Sequence, residues 1–377
     1  MVYIIGLLTL VFLVLTVMVI ARLRNVVKGV NSGTETRPEN IPSGNSWNAN
    51  LFILFTIFSI IGVIGTYIAA EEDFLPAASS VHGRRLDDLF WFSMGVLAIP
   101  FLVVNFLLFY FSYKYQYKPG RIATYYPENH KLEIIWTAIP AIVMALLVFT
   151  GWRAWSDITS EAPADAEVIE IVGKQFNWIV RYGGVDDNRL GNYNYKLIDA
   201  QNEVGIDLTD ENSLDDFTNN TEIHIPAGRP VLLKIRARDV LHSVFIPHMR
   251  VKMDAVPGMP TKFWFVPDKT TNEIRAELGD PNFDYELACT EICGRGHFAM
   301  RMRVIVEDEA SYRKWVSEQK TFLQTYPEYL AKVPDNLKSK AMKYLPENPT
   351  APATAPADST TAQEAGAVGV GASASVR

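Results

Sequence analysis

The sequence predicts an α+β membrane protein in which transmembrane helices precede an exported β-sandwich or β-barrel. Three observations support this fold class. With 49% hydrophobic and 20% charged residues, the 377-residue chain is apolar for a soluble protein of its length. Long apolar stretches lie within the first 155 residues. From Glu167 onward the chain changes to short runs typical of strands, separated by Pro, Gly, Asn and Asp.

Four apolar stretches are long enough to cross a bilayer core, which needs about 20 residues. Inside them the only charged residue is Glu133, near the start of the fourth. The first stretch has neither a preceding basic residue nor a small-residue cleavage site, so it is predicted to be a retained helix rather than a signal peptide. The four stretches are residues 2–21, 51–70, 89–113 and 132–152.

The loops predict the orientation of these helices. Basic residues are concentrated after the first and third stretches, which places those loops in the cytoplasm. The loop after the second stretch begins with three acidic residues and has only two arginines, Arg84 and Arg85. The N-terminus and everything after Trp155 are therefore expected outside the cytoplasm. The cytoplasmic basic residues are Arg22, Arg24, Lys28, Arg37, Lys114, Lys118, Arg121 and Lys131.

The exported half is expected to contain several half-buried strands. The runs EVIEIVG, NWIVRY, PVLLKIRA, TKFWFVP and MRVIVE alternate or are rich in β-branched residues. Residues 186–220 are polar and acidic and are predicted to form a long loop or insertion, whereas SYRKWVSEQKTFLQTY predicts an amphipathic helix. The expected domains are an N-terminal helix pair (1–70), a helix hairpin (86–155), the β-domain (165–310), a C-terminal amphipathic helix (311–345) and a disordered tail (346–377).

Both cysteines of the chain lie in the segment ELACTEICGRGHFAMR. A disulfide between Cys289 and Cys293 would close a small, strained loop. A shared helical face is disfavoured by Gly294 and Gly296, which instead favour a tight loop. Such a loop would let both thiols and His297 converge, and this convergence predicts a metal site.

Two metals remain possible on donor chemistry alone. Zinc would accept both cysteines, His297 and one more histidine. Met300 favours copper, because Cys, His and an axial Met are the ligands of copper electron-transfer sites on β-sandwiches, and two thiolates could bridge a pair of coppers. The missing histidine must come from elsewhere, and spacing alone does not decide among His224, His242 and His248.

The segments DVLHSVFIP, KMDAVPG and CTEICGRGH followed by FAM resemble the signature of cytochrome c oxidase subunit II, and LEIIWTAIPAIVM resembles its second transmembrane helix. The resemblance runs from about residue 86 to 308. It implies a cupredoxin-like domain holding two copper ions, with the Glu291 carbonyl as a ligand and the Glu291 carboxylate on a magnesium ion shared with subunit I. It also places Glu133 at the entrance of a proton path. The implied copper ligands are His242, Cys289, Glu291, Cys293, His297 and Met300.

The implied function is a proton-pumping terminal oxidase in a bacterial inner membrane, with the copper domain on the periplasmic side. Electrons would come from a cytochrome c or from a respiratory complex that carries a cytochrome c, and subunit I alone would hold the haems and reduce oxygen to water. Subunits I and III and membrane lipid are the expected partners, and no nucleic acid is expected. Covalent haem needs Cys-x-x-Cys-His, and no cysteine is left for it, so the donor must be a separate protein. An acidic cluster could attract a basic cytochrome c, or it could simply be solvated: Asp207, Asp210, Glu211, Asp215 and Asp216.

This chain departs from the family pattern at three places. Phe176 stands where the family has the tryptophan that accepts electrons, although Trp178 and Tyr182 lie nearby. Trp178 is interpreted as a core residue. Met259 stands where an arginine is common, and residues 1–70 add two helices to the usual hairpin. Two other classes are weighed against the leading one: a quinol-oxidase subunit II that has lost its copper, against which the intact ligand positions argue, and a zinc-bound structural or sensory membrane protein.

Overall fold

The structure is a computed structural model of the full chain. It describes residues 12–24, 27, 44–118, 121–185 and 189–345. The first half of the first predicted span, residues 2–11, and the predicted tail from residue 346 lie outside the described residues.

In the N-terminal part, the described residues form four helices. Residues 12–24 form α1, and the others are α2 (Gly44–Phe74), α3 (Val81–Lys114) and α4 (His130–Thr159). Among the described residues, three helices are long and apolar enough to cross a membrane: Ser46–Glu71, Val81–Lys114 and His130–Thr159. These three contain the predicted second, third and fourth stretches.

The apolar side chains of these helices are largely exposed, as expected for surfaces that face lipid. Several of their polar side chains bond to the backbone of their own helix. Thr56 donates to the Phe52 carbonyl at 2.8 Å, and Asn105 donates to the Phe101 carbonyl at 2.8 Å. A helix surrounded by lipid must satisfy its polar groups internally, and this pattern does so.

The second part is a β-sandwich of two five-stranded sheets, which confirms the predicted fold class. The first sheet has the order β3-β2-β1-β5-β8, and the second has the order β4-β10-β9-β6-β7. The strands are β1 (Glu167–Lys174), β2 (Asn177–Tyr182), β3 (Phe217–Asn219), β4 (Glu222–Pro226), β5 (Val231–Ala237), β6 (His242–Ile246), β7 (Val251–Ala255), β8 (Thr261–Phe265), β9 (Tyr285–Cys289) and β10 (Arg301–Glu307).

The core between the sheets is built from alternate residues of the predicted runs. Ile169 and Ile171 of β1 and Leu233 and Ile235 of β5 point inward and are fully buried, as is Phe263 of β8. Because strand side chains alternate between faces, the intervening residues of these strands lie on the outer face of the first sheet.

Strand pairing also includes segments whose local pattern is weak. Residues 242–255, read from the sequence as a loop after His242, form the hairpin β6–β7, with His242 opposite Ala255. The same strand pairs with β9, where Val244 lies opposite Cys289. A short helix that the sequence pattern did not indicate, α5 (Thr271–Leu278), begins with a capping box formed by Thr270 and Glu273.

The insertion and the C-terminal segment share a second apolar cluster, separate from the core between the sheets. Ile206 and Leu214 of the insertion are buried there with Leu323 and Tyr329. The C-terminal segment is divided into α6 (Glu309–Glu318), α7 (Phe322–Thr325) and α8 (Asp335–Ala341), with a 3₁₀ turn at Pro327–Lys332. The predicted helix over 311–345 is therefore not continuous. Pro327 and Pro334 account for the breaks after α7, because proline cannot donate the backbone hydrogen bond of a helix interior, whereas the break at residues 319–321 contains no proline.

Residues 76–89 and 150–159, at the outer ends of α3 and α4, fold together with the β-sandwich. The indole of Trp264 donates to the Asp157 carbonyl at 2.9 Å, and its ring lies 4.5 Å from that of His82. The Arg250 guanidinium forms two bonds with the Asp87 carboxylate, at 2.7 and 2.9 Å. These contacts attach the sandwich to the ends of the helix hairpin.

Candidate metal centre

The six predicted ligands converge at one end of the second sheet. Cys289 ends β9, and His242 begins the neighbouring strand β6. Met300 immediately precedes β10, and its carbonyl accepts the Cys289 N–H at 3.0 Å. Strand pairing therefore fixes three of the ligand positions, and the loop from Thr290 to Ala299 supplies the others.

The two thiols lie at the centre of the cluster. The Cys289 and Cys293 sulfurs are 3.9 Å apart, and both cysteines are free thiols. The Cys289 sulfur lies 3.8 Å from His242 Nδ1 and 3.2 Å from the Glu291 carbonyl oxygen. The Cys293 sulfur lies 3.6 Å from His297 Nδ1 and 3.8 Å from the Met300 sulfur. Each thiol therefore has an imidazole and one further donor beside it.

The cluster is shielded from water on the side of the sandwich core. His242, Cys293 and Met300 are buried, and the ligand atoms of His242, Cys289 and Cys293 all lie within 4.8 Å of one another. Burial raises the pKa of the Cys293 thiol to about 11, and the adjacent Cys289 adds to this rise. The neutral form of the Cys293 thiol is therefore favoured unless a cation is bound, since a metal ion stabilises the thiolate form.

The other two candidate histidines lie elsewhere. His224 is buried between two carboxylates, with Nδ1 2.7 Å from Glu307 and Nε2 3.1 Å from Glu222, and its ring stacks on Trp315. His248 packs against Phe283 and Tyr285. The fold thus selects His242 from the three alternatives.

Two residues that the sequence analysis missed orient the His242 ring. Asp239 Oδ1 lies 2.9 Å from His242 Nε2, so that Nδ1 faces Cys289. Burial acts to raise the pKa of Asp239, but the Gln175 N–H, the His242 ring and the Val240 N–H outweigh it and hold the pKa below its usual value. The second residue, Gly173, has no side chain at a point where a Cβ would lie 2.8 Å from the His242 ring. Asp239 could have been identified from the sequence, because it is a carboxylate three residues before a candidate histidine.

The turn between β1 and β2 covers the ligand loop. The Gln175 N–H donates to Asp239 Oδ2 at 2.7 Å, and the Gln175 amide donates to the Cys293 carbonyl at 2.6 Å. The ring of Phe176 lies against Gly294 and Gly296, and a Cβ on Gly296 would be 2.5 Å from it. Both glycines are therefore required for this close approach as well as for the loop itself.

The two candidate aromatic residues have different environments. Phe176 is 40% exposed, whereas Trp178 is completely buried, with its ring centre 5.8 Å from that of His242. The interpretation of Trp178 as a core residue agrees with this burial. Phe176 is the one that combines solvent exposure with contact to the ligand loop. Tyr182 is also buried, and its hydroxyl accepts the His224 N–H at 2.8 Å.

The remaining predicted residues lie away from the cluster. Glu133 is in the first turn of α4, where its carboxylate lies 3.2 Å from His130 Nδ1 and accepts the Asn129 N–H. Met259 is exposed. In the acidic cluster, Asp215 and Asp216 are buried, and Asp216 pairs with Arg181, so these two carboxylates are not part of an exposed acidic surface.

Comparisons with known proteins agree with the resemblance in the sequence. Residues 68–154 match the transmembrane domain of cytochrome c oxidase subunit II, and residues 167–308 match the periplasmic domain of the same subunit. These matches begin earlier than the resemblance noted at residue 86 and end at the same place.

Curated relatives carry the same name. The chain is 35% identical over 238 residues to the alternative cytochrome c oxidase subunit 2 of Bradyrhizobium diazoefficiens, covering 63% of this chain and 81% of that protein. It is 25% identical over 320 residues to cytochrome c oxidase subunit 2 of Thermostichus vulcanus, covering 74% and 86%.

Among solved structures, the periplasmic domain of subunit II of cytochrome oxidase from Bradyrhizobium japonicum matches with a TM-score of 0.28 and 22% identity, over 41% of this chain and 94% of that one. A mixed disulfide between a thioredoxin-like protein and subunit II of cytochrome c oxidase matches with a TM-score of 0.27 and 20% identity, over 42% and 93%. The family assignment rests on the sequence matches alone. With its membrane helices, its periplasmic domain and a cluster of metal-binding side chains, the chain belongs to the cytochrome c oxidase subunit II family.

Proposed function

We propose that this subunit uses a dinuclear copper centre to accept electrons from a cytochrome c and to pass them to subunit I of a proton-pumping oxidase. One observation carries the proposal. Two thiols 3.9 Å apart are each accompanied by an imidazole nitrogen, and the Met300 thioether and the Glu291 carbonyl lie beside them.

The donor set fits copper better than zinc. Zinc in structural sites takes four nitrogen or sulfur ligands, which would leave Met300 unused even though its sulfur is buried against Cys293. Thiolate and thioether sulfur favour copper, and the convergence of two thiols provides enough bridging ligands for two ions. A copper pair would supply a one-electron carrier when bound. His242, Cys289, Cys293, His297, Met300 and the Glu291 carbonyl would hold it.

The residues of the chain keep these donors nearly fixed. Strand pairing fixes Cys289 and His242, and Asp239 fixes the tautomer and direction of the His242 ring. Gln175, in the turn between β1 and β2, bonds to the ligand loop at the Cys293 carbonyl. Ligands held in place on paired strands need little rearrangement when one electron is gained or lost. This rigidity suits electron transfer. The cluster also contains no group placed to make or break substrate bonds.

Electron acceptance is proposed to occur at Phe176 and the exposed apolar side chains of the loop beneath it. Ile292 and Phe298 are 84% and 80% exposed, which is unusual for large apolar residues in such a compact domain. An apolar surface next to a buried metal site would let a cytochrome c approach closely without a strong ion pair. Replacing Phe176 by Ala should lower the rate of electron transfer from cytochrome c while copper content is unchanged, and an unaltered rate would remove Phe176 from this role.

Glu291 is proposed to connect the centre to subunit I. Its carbonyl points to Cys289, whereas its side chain is exposed and so available to bind magnesium at the subunit interface. Glu291→Gln in the assembled oxidase should lower magnesium content and leave copper content intact. If magnesium is retained, another group must hold it.

Glu133 is proposed as the entrance of a proton path into subunit I, because its carboxylate is 43% exposed at the start of a membrane-spanning helix. Glu133→Gln should slow oxygen reduction without changing copper content. Subunit III is the other expected partner, and the extra N-terminal helices are expected to bind neighbouring subunits.

The decisive experiment is metal analysis and electron spin resonance of the purified full chain. Two copper atoms per chain, with one unpaired electron shared between two copper nuclei, are expected. Cys293→Ser should abolish this signal, whereas His224→Gln, a histidine outside the cluster, should retain it. Zinc in place of copper, or a purified chain that takes up no metal, would exclude the proposal.

A further inference from the structure

A large cleft lies on the outer face of the first sheet, away from the metal centre. Its volume is about 590 Å³, and it is bounded by the last turns of α4, by the outer face of β1, β5 and β8, and by the loop at residues 190–193. The residues that matter for its chemistry are Trp155, Thr159, Tyr193, Lys234, Arg236 and Lys262. None of these residues has a role in the proposed electron transfer.

Two lysines stand directly opposite each other in this cleft. Lys234 of β5 and Lys262 of β8 are partners in the antiparallel register, and both are exposed. Like charges at such opposed positions destabilise a sheet. Within the part of the chain that the structure describes, neither ammonium group has an ion-pair or hydrogen-bond partner. Water and salt screen part of this repulsion because both side chains are exposed, and an anion from outside the chain between the two ammonium groups would remove the rest.

The nearest carboxylate on the same face cannot serve as that anion. Glu170 lies beside Lys234 in the parallel register of β1 and β5, but both of its oxygens are engaged. They accept bonds from the Arg236 guanidinium at 2.8 and 3.1 Å, and Arg181 lies 3.5 Å away. Arg236 also stacks on Tyr193, with the guanidinium 4.0 Å from the ring centre. The charged groups at the floor of the cleft are thus paired with one another, and the charges of Lys234 and Lys262 remain uncompensated.

The cleft is expected close to the membrane surface, because the last turns of α4 form one of its walls. α4 is a membrane-spanning helix that ends at Thr159, and its predicted apolar stretch ends at Trp152. At about 1.5 Å per residue, Trp155 lies about 5 Å beyond that end, within the headgroup layer of about 5–7 Å, and Thr159 lies about 10 Å beyond it, just above that layer. Tryptophan is typical of this layer. Trp155, Met253 and Pro260 add apolar surface to the cleft.

We propose that this cleft, called here the lysine cleft, binds the phosphate of an anionic phospholipid from the outer leaflet. Lys234 and Lys262 would hold the phosphate oxygens, and Trp155 and its apolar neighbours would contact the glycerol and upper acyl chain. The pocket is large enough for a headgroup, and its cations are placed where phosphates of the bilayer are found. Lipid binding in the lysine cleft does not depend on the metal centre. An experiment that disproves lipid binding would therefore leave the proposed electron-transfer role untouched, and the reverse also holds.

The test uses native mass spectrometry of the full chain, released from detergent micelles that contain phosphatidylglycerol. The wild type is expected to retain one more phosphatidylglycerol than the double variant Lys234→Gln, Lys262→Gln, or to need about tenfold less lipid for half-occupancy, as expected for the loss of a charge-assisted bond. The double variant Lys234→Arg, Lys262→Arg should restore retention. Lys252→Gln, Lys343→Gln, which removes two exposed lysines outside the cleft, is the matched control and should behave like the wild type.

Two further arms identify the ligand. Inorganic phosphate added at the same concentration as the lipid should not displace phosphatidylglycerol, and phosphatidylcholine micelles should give lower retention. Equal lipid retention by wild type and the glutamine variant overturns the proposal, as does equally effective binding of free phosphate. If the glutamine variant instead loses subunit I from the purified oxidase while its lipid count is unchanged, the cleft binds carboxylates of a partner subunit and the lipid assignment is wrong.

Discussion

Gly173 is expected to decide how closely His242 can approach the metal. It lies near the end of β1, opposite Trp178 on β2. A Cβ at this position would be 2.8 Å from Cδ2 and 3.0 Å from Cγ of the His242 ring, and 3.1 Å from Cζ3 of Trp178. Both rings are completely buried, so neither can move into solvent to make room. Gly173→Ala therefore forces the imidazole or the strand to shift.

The size of the effect follows from these distances. The closest contact is about 0.7 Å shorter than the ~3.5 Å at which two carbon atoms attract each other. Overpacking of a buried site costs about 1–3 kcal/mol of folding free energy. Metal–ligand distances tolerate changes of only about 0.2 Å, so a ring displaced by several tenths of an ångström should weaken copper binding. We expect a loss of roughly tenfold to a hundredfold in copper affinity, as for other changes that misplace a metal-bound histidine.

The assay is competition for copper between the full chain and a chelator, combined with thermal unfolding. Gly228→Ala is the control. Gly228 has a φ of +74°, and a Cβ there would meet no atom within 4 Å, so alanine should cost about 1–2 kcal/mol through backbone strain alone. That variant should be destabilised and keep its copper affinity. If Gly173→Ala binds copper as tightly as the wild type does, the close packing of Gly173 does not position His242, and the reasoning is refuted.

Three other changes test separate parts of the structure. Asp239→Asn should weaken copper binding by about tenfold to a hundredfold, because the single amide oxygen cannot accept hydrogen bonds from both the His242 ring and the Gln175 N–H. Unchanged copper affinity in a chelator titration would contradict this. Met300→Leu should keep both copper ions but change the reduction potential, because an axial thioether tunes a site more than it holds it; loss of copper on metal analysis would show that Met300 is essential for binding. The pKa of His248 is lowered from 6.5 to about 4 by burial and by Arg250, so the unfolded chain binds a proton that the folded chain does not as the pH falls from 6.5 to 4. Wild-type stability should therefore decline over that range, and His248→Phe should flatten the decline in thermal unfolding; an equal pH dependence in the variant would assign the decline to other groups.

Local patterns were sufficient for the three described membrane helices and for the strongest strands. The three described membrane spans contain the stretches predicted from apolar length, and the runs at Glu167–Lys174 and Val231–Ala237 are strands with the expected inward-facing residues. Such features depend on neighbouring residues along the chain and on the period of the side chains. The sequence predicts a loop where β6 and β7 form a hairpin. These strands are short and lie on either side of a Pro-His turn, and they become strands only by pairing with each other and with β9.

The sequence of the ligand loop was also sufficient to predict part of the metal site. Two cysteines, a histidine and a methionine within twelve residues, with two glycines between them, were enough to predict convergence on a metal from the sequence. The choice among the three distant histidines was not available from spacing. His242 is 47 residues from Cys289 along the chain, and only the pairing of β6 with β9 brings them together.

By itself, then, the sequence determined the membrane anchorage, the β-rich exported domain and the soft donors of the Cys289–Met300 loop, since each depends on residues close together in the chain. The tertiary structure alone decided that His242 completes the cluster, that Asp239 and Gly173 position its ring, that Phe176 rather than Trp178 is exposed, and that Lys234 and Lys262 face each other in a cleft. These relations join residues on different strands. They are set by sheet register and side-chain packing, which no single stretch of sequence contains.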